Sequence, residues 1–75
     1  MSTKTHTTAE NFAKWEENAR IMSNDSLVFS IQDCMEAAKA VRAHDALAEG
    51  VYMDEMHTYV AERVRRQRSQ DVAHG

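Results

Sequence analysis

The densest set of groups that could do chemistry is Tyr-Met-Asp-Glu-Met-His-Thr-Tyr, residues 52–59. Asp54 and His57 stand three residues apart, so on a helix they share a face. Such a pair could form half of a metal site or an acid–base couple. A metal-dependent enzyme built on it as a dimeric bundle would need more carboxylates from a facing helix, and Asp33 and Glu36 are the candidates. The simpler reading has Asp54 neutralising a helix start and His57 packing beside a core. Dyads of this kind are common on amphipathic helices, so the chain is expected to use no catalytic group, no cofactor and no metal. Cys34 could be a nucleophile beside His57, but its place in an apolar stripe points to an inert, buried thiol.

Charge is distributed unevenly. Arg63, Arg65, Arg66 and Arg68 face only Glu62 and Asp71 within residues 61–75, which carry +2, while residues 1–60 carry −5. Four guanidinium groups on about two helical turns could contact phosphates. No aromatic side chains interleave with them for base stacking, and the acidic remainder would repel nucleic acid. A basic helix end is also what the helix dipole favours. Nucleic-acid binding through this basic end is therefore the alternative and not the leading reading. Glu16, Glu17, Asp54 and Glu55 offer an acidic face that could be steered into a basic groove on a partner protein.

Length limits what these groups can do. Seventy-five residues make one small domain, with 43% apolar and 28% charged residues and a net charge of −3. A chain of this size buries only about 60% of its unfolded surface, and one such core supplies about 3–5 kcal/mol. A deep pocket of several hundred cubic ångströms is hard to enclose with so little chain. Binding is the default, and the chain is read as not an enzyme. No apolar run reaches the roughly 20 residues of a membrane span, and the first residues lack a secretory-type apolar segment. One cysteine rules out an internal disulfide framework and suits a reducing cytoplasm.

The elements that must position these groups are helices. There is no proline, and the glycines are Gly50 and Gly75 only, too few turn formers for a chain of short strands. Thr7 and Glu10 have capping-box spacing ahead of Phe12, Trp15, Ala19 and Met22, which predicts helix 1 over about 8–22. Ser23-Asn24-Asp25-Ser26 interrupts that period. Helix 2 follows over about 24–43, with a stripe of Leu27, Ile31, Cys34, Ala38 and Val41 widened by Val28 and Met35. His44 to Gly50 reads as a connection closed by glycine. Helix 3 is predicted over about 52–68, its apolar face Met53, Met56, Val60 and Val64. Residues 1–7 and 69–75 read as flexible ends. The expected fold is all-α: a small three-helix domain, residues 8–68, on an antiparallel hairpin in which stripe 27/31/34/38/41 faces 53/56/60/64. Phe12 and Trp15 cover the hairpin. So thin a hairpin leaves dimerisation into a four-helix bundle open.

Ser23, Leu27, Asp33, Glu36, Ala37, Gly50, Tyr52, Asp54, Glu55, His57, Tyr59 and Arg63 to Arg66 together form a pattern. It resembles that of a family of short, mostly uncharacterised tailed-bacteriophage proteins with a Gly-x-Tyr-x-Asp-Glu-x-His segment and an Arg-rich end. The resemblance covers about residues 23–68, and Thr58 stands between the His and Tyr of the pattern. It implies expression in the host bacterial cytoplasm but no set activity. Phage proteins of this size commonly dock on a host machine such as RNA polymerase, a nuclease or a CRISPR effector. The expectation is an interaction protein that binds and modulates, and most simply inhibits, a host bacterial protein complex.

Overall fold

The computed structural model describes residues 7–74, with side chains through Gln70. It contains three α-helices: α1 (Ala9–Ile21), α2 (Asn24–Arg42) and α3 (Ala46–His74). No strand occurs among the described residues. Thr8 caps α1, one residue after the expected position. Its hydroxyl accepts from the Asn11 amide at 3.2 Å, and the Asn11 side chain accepts from the Thr8 amide at 3.1 Å. Thr7 is not the cap because its hydroxyl is committed elsewhere, donating to Asp54 across the fold at 2.7 Å. Ser23 caps α2 by accepting from the Ser26 amide at 3.1 Å, which satisfies one of the free N–H groups at the helix start.

The main departure from the sequence reading is α3. It begins at Ala46, six residues before the expected Tyr52, because Asp45 caps it. The Asp45 carboxylate accepts from the Ala48 amide at 3.1 Å, and its carbonyl accepts from the Glu49 amide at 3.1 Å. Gly50 therefore lies inside the helix and has no positive φ. The Ala-Leu-Ala-Glu run before it favours helix strongly enough to absorb one glycine, which costs about 1 kcal/mol. The α2–α3 connection shrinks to residues 43–45. At its other end α3 runs on to His74, through residues expected to be a flexible tail. Of the expected flexible start, Thr7 is placed by its bond to Asp54, and residues 1–6 lie outside the described residues.

Cross-links between helices fix the topology. Arg42 donates to Glu49 at 2.8 Å at one end of the α2–α3 pair, and Arg66 donates to Asn24 at 2.7 Å at the other. These two helices are thus antiparallel, as a three-residue connection requires. Thr7 meets Asp54, and Arg66 reaches the carbonyl of Ala19 at 2.9 Å, so α1 runs parallel to α3 in constant register. Helix α3 packs along both of the others and is the central element. No helix among the described residues is long and apolar enough to cross a membrane.

The core is Ala19 of α1, Leu27 and Cys34 of α2, and Met56 and Tyr59 of α3, with Trp15, Met22, Ile31 and Met53 packed against it. Leu27 is fully buried and Ala38 nearly so; a side chain like Leu27 contributes about 1.5–3 kcal/mol. The α2 stripe is as expected at Leu27, Cys34 and Ala38, while Ile31 and Val41 sit half-buried at its margin. The α3 face differs. Met56 is buried, but Val60 is 36% exposed and Val64 44%, and Tyr59 and Glu62 take the inward positions. Serving α1 as well as α2 rolls the inward face of α3 toward the Tyr59–Glu62 side. That roll is tolerated because both polar groups find partners within α3. Phe12 meets Trp15 edge-to-face, with centroids 5.6 Å apart, but remains 38% exposed.

Candidate functional site

Arg66 does not stand free in a basic patch. Its guanidinium donates to the carbonyls of Ala19 (2.9 Å), Arg20 (3.3 Å) and Met22 (2.8 Å), to the Asn24 side chain (2.7 Å) and to Glu62 (2.7 Å). The last carbonyls of α1 are under-partnered by their own helix; that of Ala19 accepts the Met22 cap amide at 3.3 Å, and a cation beside them complements the negative end of the helix dipole. Arg66 thus clamps the end of α1 and the start of α2 onto α3. Glu62, buried, holds the clamp in place. Arg65 also donates to it through two nitrogens, at 3.0 and 2.7 Å. The Arg65 hydrogen bonds outweigh the burial that opposes them, Arg66 adds to the effect, and the Glu62 carboxyl is held down to about 2.

The four arginines therefore divide. Arg66 is structural, and Arg65 is tied to Glu62 with most of its side chain in water. Arg63 and Arg68 are exposed. The acidic set divides as well. Glu16 and Glu17 are exposed on α1, whereas Asp54 is half-buried and accepts from Thr7. Glu55 lies half-buried between α2 and α3 and accepts from the Tyr59 hydroxyl at 2.6 Å. These four carboxylates are not one continuous face.

Cys34, Glu55 and Tyr59 meet across the α2–α3 seam. Burial, and then the nearby negative charge of Glu55, pushes the Cys34 thiol up to about 12. Burial also raises Tyr59, and the Glu55 hydrogen bond adds to it. A thiol so disfavoured as thiolate is a poor nucleophile. His57, proposed beside it, is exposed, and Asp33 and Glu36 lie exposed on α2. Among the described residues no three His, Cys, Asp or Glu side chains form a group that could hold a metal ion.

An open groove of about 670 Å³ lies between α1 and α3. Phe12, Glu16, Ala19, His57, Ala61 and Arg65 are among the residues that line it. Apolar, small and charged side chains of both signs line it together. The chain matches no protein-family model, no curated protein and no solved structure.

In the sequence Glu62 and Arg66 form an ordinary i,i+4 pair, and nothing in that spacing alone shows the clamp. The available signal was a carboxylate with arginines at both i+3 and i+4, which allows one acid to orient two guanidinium groups toward a neighbour. Tyr59 lies outside the apolar spacing of α3, and the signal for its burial is Glu55 one turn earlier, which can receive its hydroxyl.

Proposed function

We propose that this chain is a small phage-type helical interaction protein that binds and modulates, most simply by inhibiting, a host bacterial protein complex in the bacterial cytoplasm. The observation that carries the reading is the α1–α3 groove. It is open to solvent, the small exposed Ala61 side chain allows close approach, and Glu16 and Arg20 line it from α1. A partner helix or loop laid there would find apolar contact at Phe12 and charge at both signs. Ile21 and Phe29, 81% and 70% exposed, add apolar contact area elsewhere on the surface. The resemblance to short phage proteins supports the bacterial setting, in which an RNA polymerase, a nuclease or a CRISPR effector would be such a partner.

The test is capture of the partner complex by tagged chain from an expressing bacterium, with groove variants compared at equal folding. Glu16→Lys with Ala61→Trp, both at exposed positions, should abolish capture, whereas Lys39→Glu on exposed α2 should not. Equal capture by the parent chain and both variants refutes groove binding. A second reading, nucleic-acid binding, is favoured only by the exposure of Arg63 and Arg68. It requires an affinity for DNA or RNA that falls with salt, and a gel-shift titration without such a dependence ends it.

A further inference from the structure

We propose that α3 forms an antiparallel, two-fold symmetric contact with α3 of a second copy of this chain, centred near Val60. The first observation is the unpartnered ridge that the roll of α3 leaves outside. Met53, His57, Val60 and Val64 recur at spacings of 4, 3 and 4, so they line one side of the helix, in the 3–4 rhythm of a helix–helix seam. Met53 is half-buried at the inner margin, and His57, Val60 and Val64 are exposed.

The second observation is charge. Within α3, Asp54 stands ahead of Val60 while Arg63, Arg65 and Arg68 follow it; Glu49, Glu55 and Arg66 are engaged with Arg42, Tyr59 and the end of α1. A parallel pair would set like on like. An antiparallel pair sets each acidic half beside a basic half. With the two-fold axis near Val60, residues 54 and 55 of one copy lie level with residues 65 and 66 of the other. Asp54 and Arg65 share one flank of the ridge, eleven residues and three helical turns apart. Flanks of like position meet in an antiparallel seam, so symmetry yields two Asp54–Arg65 pairs. Arg65 keeps 62% of its side chain exposed despite its bonds to Glu62, which leaves it able to reach. The contact is isologous and closes on itself, so it gives a dimer and not a filament. Phe29 lies outside it.

Sedimentation equilibrium of the full chain tests this. The expected mass is twice the 8.5 kDa of one chain at micromolar concentration. Val60→Glu should weaken association at least about tenfold, because its charge would be buried without a partner, while Phe29→Ser leaves it unchanged. Cysteine pairing on a Cys34→Ala background gives the orientation independently of how Val60→Glu folds. Val60→Cys, beside the axis, should oxidise to a covalent dimer. In Val64→Cys the two copies stand eight residues apart along the axis, about 12 Å, beyond the roughly 7 Å limit for a disulfide, and should not. A monomer at every concentration overturns the proposal. So does a dimer indifferent to Val60→Glu, or one that cross-links equally at 60 and 64.

Discussion

Replacing Arg66 with methionine keeps much of the aliphatic stem and removes the clamp. Five acceptors lose one donor each: three carbonyls at the end of α1, Asn24 and Glu62. A hydrogen bond from a charged donor is worth about 1.5–3 kcal/mol, but these five do not add. The Arg66 side chain keeps 23% of its surface in water, so solvent can replace it at the outer acceptors, and Arg65 still serves Glu62. The Ala19 carbonyl keeps the Met22 amide at 3.3 Å, so the part-buried Met22 carbonyl and the lost tie between α1 and α3 decide the cost, and about 2–3 kcal/mol is expected. A domain of this length has roughly 4–11 kcal/mol in total, so the loss is a large fraction of it. The corresponding fall in Tm is about 8–24 °C. Urea unfolding followed by far-ultraviolet circular dichroism measures the total. Emission of Trp15, the single tryptophan, reports α1 in particular, because its ring packs against the core and should shift to the red as α1 loosens. Arg66→Lys keeps the charge but cannot span the acceptors and should recover only part of the loss. Stability within about 0.5 kcal/mol of the parent, the range of an ordinary surface substitution, with unchanged Trp15 emission, would refute the clamp.

Other outcomes follow from the same structure. The folded Glu62 carboxyl lies at about 2 against an ordinary 4.5, so its contribution is complete above pH 4.5 and lost as pH falls through 2. Glu62→Gln should flatten the urea midpoint over that window, and an unchanged acid slope would contradict the assignment. Gly50 is helical, with nothing within 4 Å of an added Cβ. Gly50→Ala should therefore raise stability by about 0.5–1 kcal/mol, and destabilisation would place Gly50 outside a regular helix. Cys34 should react with a thiol reagent at mildly alkaline pH far more slowly in the folded chain than in urea; equal rates would contradict its burial and raised pKa.

The fold was legible where one signal had no rival. The Leu27–Cys34–Ala38 stripe and the Ser23 cap define α2 in the sequence, because no other register of that segment buries so many apolar groups. The start of α3 was not legible, because Gly50 and Asp45 point to different boundaries and propensity alone cannot rank them. The cap at Asp45 and the Arg42–Glu49 pair decide it, and the pair exists only once the helices have met. The inward face of α3 was misjudged for a related reason. Apolar spacing marks Val60 and Val64, but a helix between two neighbours must satisfy both, and Tyr59 and Glu62 can be buried because Glu55, Arg65 and Arg66 stand within one turn. The candidate site was legible as residue types and not as roles. The arginine run is visible in the sequence, whereas the diversion of Arg66 into the end of α1 depends on a neighbour 47 positions away.

The most direct measurement of the proposed interaction role is quantitative capture of tagged chain from an expressing bacterium, with and without nuclease, scored by the stoichiometry of what is retained. A host protein complex held in near-equal amount to the chain and indifferent to nuclease is the predicted result. Retention that disappears with nuclease, or no protein above trace amounts, would contradict it.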